Sequence, residues 1–438
     1  MQTKKIDVDG GNISVDLYPF IREYKSGRVQ RFLGSSFVAA SEDAAGNRGV
    51  ATRDVVIDKA TGVSARLFLP SVAAAAAVTG CDALPVIMDV HGGSFCTESA
   101  FGRTYNNYAR SLATRIGAIV VSVEYRLAPE HPVPTAYDDA WAALRWVASL
   151  SDPWLSAYAD PGRTFLAGDS AGGNIAYNTA VRASRGTSLL DLDIEGLIIV
   201  HPYFWGADRL SSSEKVWDGV AMFTPETIHR TAPLLWPFVT AGRLGVDDPR
   251  MNPLDDDIAL LTCQRVLVAV AGKDSLRHRG SRLAARMRDC AWAVDERAVT
   301  LVESEAEDHG FHLYNPLRAS SKILMDSIVQ FINQPTALPL PAAFLPELNQ
   351  LHACQGKRMD SRCLPSILGV PARPYMDVFG YGMVMKDTTT HNSHLQIGSG
   401  RASKTSTRYG SFLGRLTKTP KASLSATVQA SSVLHNFI

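Results

Sequence analysis

The run Gly168-Asp169-Ser170-Ala171-Gly172 constrains this chain more than any other stretch of it. It lies between an apolar, strand-like segment at residues 164–167 and a helix-like segment at residues 173–183. A G-x-S-x-G run in that setting predicts a strand that reverses sharply into a helix with the serine at the apex. Side chains at the flanking positions would collide with the adjoining strand and helix, so glycine is required there. At the apex the serine hydroxyl stands clear of the sheet. The first turn of the helix offers it unpaired N–H groups and the positive end of the helix dipole. The spacing therefore predicts a nucleophile held where negative charge can develop beside it.

A second segment fits the first. Residues 84–90 (LPVIMDV) read as a buried strand and run directly into His91-Gly92-Gly93-Ser94-Phe95. A His-Gly-Gly loop after a strand resembles the loop that completes the oxyanion hole of lipases and esterases. The expected donors are the amides of Gly92, Gly93 and Ala171, each worth about 3–4 kcal/mol to a developing oxyanion. A serine nucleophile also needs a base and an orienting acid, in the chain order Ser, Asp/Glu, His. Residues 265–271 (RVLVAVA) read as a strand that ends at Gly272-Lys273-Asp274, and residues 298–302 as another, followed by His309-Gly310-Phe311-His312. Asp274 and His309 thus fall just past the carboxyl ends of strands, the edge where α/β sheets gather their chemistry. Asp274 is expected to orient His309, and His309 to take the Ser170 proton. His312 is the rival base, and its place in Phe-His-Leu-Tyr points instead to packing near the site. Asp308 is the rival acid, while Asp255, Asp256 and Asp257 read as solvated loop charges.

These segments resemble the plant carboxylesterases of the hormone-sensitive-lipase-like (GDXG) branch of the α/β-hydrolases. The likeness rests on HGGSFCTESAF, VSVEYRLAPEHPVPTAYDDAW, GDSAGGNIAYN, HPYFWG, AGKDSLRHRG and EDHGFHLY. With DLYPFIR and KATGVSARLFLP it covers most of residues 10–333 in order. It implies the α/β-hydrolase fold and the triad Ser170, Asp274 and His309, in agreement with the reading above. Ser94 departs from the third glycine or alanine common in such esterases. It resembles the gibberellin receptors, which lack the histidine that stands here as His309. The 2-hydroxyisoflavanone dehydratases are a further relative. Hydrolysis of small to medium carboxylic esters is the expected activity, with a hormone-binding protein or a dehydratase as alternatives. In the family the amino-terminal arm and the insertion near 203–250 form a lid. Ser94, Phe95, Asp169, Trp205 and His312 are the expected pocket residues.

The rest of the chain supports this organisation. Strand-like runs at 118–123 and 196–200 alternate with helical patterns at 101–117 and 136–150, which predicts a mainly parallel central sheet covered on both faces. In that frame Tyr125 and Arg126 read as structural, the arginine bracing loops by ion pairing. Apolar side chains of the arm at 10–45 (Tyr18, Phe20, Ile21, Phe32, Phe37) and of the insertion (Trp217, Met222, Phe223, Leu234, Leu235, Trp236, Phe238) are candidates to line the cleft. A formal charge of +1 over 438 residues argues against a nucleic-acid partner. No run of eighteen apolar residues predicts a membrane span. Six scattered cysteines without a C-x-x-C pair suggest neither a zinc site nor a redox motif. Neither metal nor organic cofactor is expected, and the expected partner is a small-molecule ester. With no apolar leader at the amino end, the expected location is the cytoplasm, the nucleus remaining open. The hydrolase unit is expected to span 1–334, with its catalytic core at 84–334. After the proline-containing stretch at 335–341 the composition changes, with eleven basic residues against four acidic ones from 335 onward. Residues 335–438 therefore read as a basic, Ser/Thr-rich, disordered extension.

Overall fold

A computed structural model describes residues 12–71, 83–185, 193–208, 234–290 and 298–334. All of these belong to one compact unit, Met1–Pro341. The expected extension at 335–438, and Trp217, Met222 and Phe223 of the insertion, lie outside the described residues.

The central sheet has eight strands among the described residues: β4 (Val50–Val56), β5 (Ser64–Pro70), β6 (Leu84–Val90), β7 (Ile119–Glu124), β8 (Ala159–Asp169), β9 (Ile194–Val200), β10 (Arg265–Ala271) and β11 (Val299–Ser304). Their order is β11-β10-β9-β8-β6-β7-β5-β4. From β11 to β7 every pair is parallel, while β7–β5 and β5–β4 are antiparallel. The strands β6, β9 and β10 are buried along their whole length, as strands between two helical layers must be.

The helices alternate with the strands: α1 (Arg103–Ile116), α2 (Thr135–Ala148), α3 (Pro153–Tyr158), α4 (Ala171–Arg185), α5 (Asp255–Ala259), α6 (Arg277–Arg288), α7 (Phe311–Tyr314) and α8 (Ala319–Asn333). Side chains of α1 and α8 (Ala109, Leu112, Ile116, Leu324, Ile328) pack with Ile87, Val120 and Phe165 in one cluster. Side chains of α2, α4 and α6 (Ala140, Leu144, Ile175, Leu283) pack with Met88, Val90 and Leu166 in another. Neighbouring residues Ile87 and Met88 thus enter opposite layers, as the two-residue strand period requires. No helix among the described residues is long and apolar enough to cross a membrane.

The amino-terminal arm folds as a small antiparallel sheet of β1 (Ile13–Leu17), β2 (Ile21–Tyr24) and β3 (Val29–Arg31). Leu17 and Ile21 are buried in the main core, so Ile21 is a packing residue. The arm is tied to the body by Arg31. Its Nε donates to the Cys96 carbonyl at 2.7 Å, its Nη2 donates to the Ala128 carbonyl at 3.0 Å, and the guanidinium pairs with Glu130. Arg126 pairs with buried Asp139, the bracing expected of it. Asp255–Asp257 are not free loop charges. They open α5, where three carboxylates suit the helix amino end, and buried Asp257 pairs with Arg185.

Candidate active site

Strand β8 ends at Asp169 and α4 begins at Ala171, so Ser170 occupies the turn between them with φ +51°. A serine in the left-handed region is strained, and the surroundings hold it there. Its amide donates to the Val200 carbonyl at 2.9 Å, and its carbonyl accepts from the Tyr203 amide at 3.0 Å. Gly172 explains why the turn tolerates no side chain: a Cβ there would stand 1.9 Å from the Val90 carbonyl oxygen.

The base and acid arrive from the next strands. Asp274 follows β10 and His309 follows β11. His309 Nε2 lies 2.9 Å from Ser170 Oγ, and His309 Nδ1 lies 2.8 Å from Asp274 Oδ2. Asp274 Oδ1 accepts the Leu276 amide at 2.9 Å, which fixes the carboxylate. Nδ1–H donates to Asp274, and this leaves Nε2 as the acceptor that faces the serine hydroxyl. Asp308 accepts the backbone N–H of His309 at 2.7 Å, so it fixes the loop and leaves the ring to Asp274. His312 is buried against Tyr108 and His201, the packing place expected of it.

Burial of the His309 ring opposes its charged form. Asp274, with Asp169 and Asp308 behind it, outweighs that and pushes the imidazole up to about 9. The side chain keeps 37% of its surface exposed. The neutral ring is the base, so kcat/KM for a neutral ester should rise about tenfold per pH unit and level off only near pH 9. A plateau already complete at pH 6 would contradict this. Stability runs the other way. The raised pKa stabilises the fold fully below the ordinary 6.5, and that contribution is lost as pH climbs through about 9.

The oxyanion loop departs from expectation at one residue. The Gly92 amide is already engaged, by Tyr105 Oη at 2.9 Å and Asp169 Oδ1 at 3.1 Å. It is therefore a brace, and a substrate oxygen would have to displace a buried carboxylate to reach it. Among the described residues no acceptor meets the amides of Gly93, Ser94 or Ala171. Of the expected donors, Gly93 and Ala171 thus keep unengaged amides, as does neighbouring Ser94, whereas Gly92 does not. Gly93 has φ +98°, and a Cβ on it would stand 2.2 Å from the Thr97 carbonyl oxygen. Ser94 and Phe95 follow at φ +54° and +62°. Tyr125 stacks on His91 at 4.3 Å and donates to the His91 and Gly92 carbonyls, so its role is structural.

Of the expected pocket residues, Asp169 serves the loop. Burial raises its carboxyl to about 6, and Tyr105 donates to its Oδ2 at 3.1 Å. Phe95 is buried among Tyr137, Tyr203 and Trp236, so its ring and that of Trp236 are core. Leu235 is buried likewise, whereas Leu234 is exposed. Trp205 packs under the Arg279 guanidinium. Tyr105 is a brace that the sequence does not reveal, because it lies within the helical pattern at 101–117 and its partners are distant in the chain. Cys96 is fully buried, and burial pushes its thiol up to about 12. Iodoacetamide at pH 8 is therefore expected to leave hydrolysis unchanged. Substrate-protectable inactivation that a Cys96→Ala variant escapes would show the thiol to be reachable.

The fold and this constellation define an α/β hydrolase with a nucleophile elbow. Residues 87–313 match a family model described as the alpha/beta hydrolase fold. A probable carboxylesterase 5 from Arabidopsis thaliana is 36% identical over 338 residues, 73% of this chain and 98% of that protein. A 2-hydroxyisoflavanone dehydratase from Glycyrrhiza echinata is 39% identical over 334 residues, 73% of this chain and 96% of that protein. Among solved structures, the hyperthermophilic esterase of Pyrobaculum calidifontis is similar at 28% identity and a TM-score of 0.51, over 64% of this chain and 82% of that one. The chain belongs to the α/β-hydrolase-fold family, in the branch that holds the plant carboxylesterases.

Proposed function

We propose that this carboxylic ester hydrolase works by acyl transfer through Ser170. His309 takes the hydroxyl proton as the serine oxygen attacks the ester carbonyl. The oxyanion is received by the Gly93 and Ser94 amides of the loop after β6 and by the Ala171 amide at the amino end of α4. His309 then protonates the leaving alcohol, and a water repeats the sequence on the acyl-enzyme. Asp274 keeps the imidazole in the tautomer that faces the serine and stabilises the imidazolium. The observation that carries this reading is the continuous relay Ser170–His309–Asp274, with contacts of 2.9 and 2.8 Å, beside three amides that have no acceptor among the described residues.

The substrate class is a small or medium ester with an apolar part. The free thiols of Cys96, Cys263 and Cys290 support a reducing compartment such as the cytoplasm. A dehydratase reading is favoured by the Glycyrrhiza relative. Elimination on a hydroxylated flavonoid would need the base and leave no acyl-enzyme. The test is turnover of short p-nitrophenyl esters by the full chain together with labelling by an organophosphate. Hydrolysis with stoichiometric label on Ser170 is expected. A folded protein that neither hydrolyses nor takes the label would overturn the reading.

A further inference from the structure

The segment that follows β9, His201-Pro202-Tyr203-Phe204-Trp205-Gly206, has no part in the relay, yet it touches both the nucleophile turn and the loop that carries the base. Val200 accepts the Ser170 amide and Tyr203 donates to the Ser170 carbonyl. His201 reaches the loop of the base. Its backbone N–H continues the sheet by donating to the Ala269 carbonyl at 2.8 Å, and its φ is +47°, a conformation that non-glycine residues rarely take. That backbone turns the imidazole under the histidine loop. There Nδ1 accepts the N–H of Gly310, the residue after the base, at 3.1 Å. The ring is buried against three others, with centroids 5.7 Å from His309, 5.4 Å from Phe311 and 5.2 Å from His312.

We propose that His201 is a positioning residue for His309, holding the base against Ser170 by accepting the Gly310 amide in the buried floor of the histidine loop. The proposal rests on the serine-hydrolase reading of the site. Two amides in succession are then fixed by side chains, that of His309 by Asp308 and that of Gly310 by His201. Gly310 itself has φ +70°, so the loop reverses at the point where His201 grips it. The role demands one protonation state. An acceptor at Nδ1 places the single ring proton on Nε2, which has no hydrogen-bond partner among the described residues. A charged ring would set an N–H against the Gly310 N–H. Burial, with His312 and His309 adding to it, lowers the His201 pKa well below the ordinary value and keeps the ring neutral.

The test compares His201→Phe and His201→Asn with the parent full-length chain. Phenylalanine keeps an aromatic ring against Phe311 and His312 and removes the acceptor. Asparagine can return an acceptor oxygen near the place of Nδ1. His201→Phe is expected to lower kcat about 10²-fold with KM unchanged, as a displaced base does. It should also broaden or abolish the downfield proton resonance of His309 Nδ1–H. His201→Asn is expected to recover most of both. A folded His201→Phe variant with parental kcat and an intact resonance would overturn the proposal. If His201→Phe fails to fold, His201→Asn decides: near-parental kcat with the resonance in place supports the role, and loss of both refutes it. A parent chain that hydrolyses no ester and takes no organophosphate label would instead remove the serine-hydrolase reading beneath it.

Discussion

Ser170→Ala is expected to lower kcat for a short p-nitrophenyl ester by about 10⁶-fold, and His309→Ala by a similar factor. The double variant should be hardly slower than either single one, because serine and base act as a unit. The reason is visible in the geometry. Ser170 Oγ and His309 Nε2 lie 2.9 Å apart, so neither performs its step without the other. Asp274→Asn should cost about 10⁴-fold. An amide nitrogen facing Nδ1 turns the imidazole to the wrong tautomer while the fold stands. A residual rate above that of water should survive in every variant, since the Gly93, Ser94 and Ala171 amides remain. KM should change little. Steady-state kinetics with active-site titration measures each figure. Additive losses in the double variant would show that the two side chains act separately.

Gly172→Ala is the second large effect. The added methyl would lie 1.9 Å from the Val90 carbonyl oxygen and 2.6 Å from that of His91. Both neighbours are backbone, so no side chain can rotate away. The end of β6 and the start of α4 must separate, and overpacking of this kind destabilises by about 1–3 kcal/mol or more. The same separation moves the oxyanion loop, which begins at His91, away from the Ala171 amide. Loss of one donor is worth about 10²–10³-fold in kcat, so the variant should lose at least that much activity together with a lower Tm. Thermal denaturation followed beside ester hydrolysis checks both. An unaltered Tm with full activity would mean that the elbow can relax where the geometry says it cannot.

Much of this was legible in the sequence, for a physical reason. Ser170, Asp274 and His309 each follow a strand recognisable by a largely apolar run, and the reaction fixes their residue types. The runs at 84–90 and 265–271 became β6 and β10 with the same limits. What stayed hidden depends on contacts between distant segments. That Gly92 is spent and Ser94 is free follows from Asp169 and Tyr105 reaching across to the Gly92 amide, and no local pattern records that. The small sheet of the arm was missed because its strands are only five, four and three residues long. Leu235, Trp236 and Phe95 read as cleft lining because apolarity is common to pockets and cores. Only burial separates the two.

The Arg31 clip gives the arm a second role. The guanidinium that closes β3 holds the carbonyl of Cys96, one residue beyond the strained pair Ser94 and Phe95. The amide of Phe95's neighbour is a donor to the substrate oxygen in the proposed reaction. A change in the arm that shifts Arg31 is therefore transmitted to that loop through the Cys96 carbonyl. The arm is thus a tie-rod on the loop as much as a covering piece, and Arg31→Ala should loosen both the small sheet and the segment that carries Ser94.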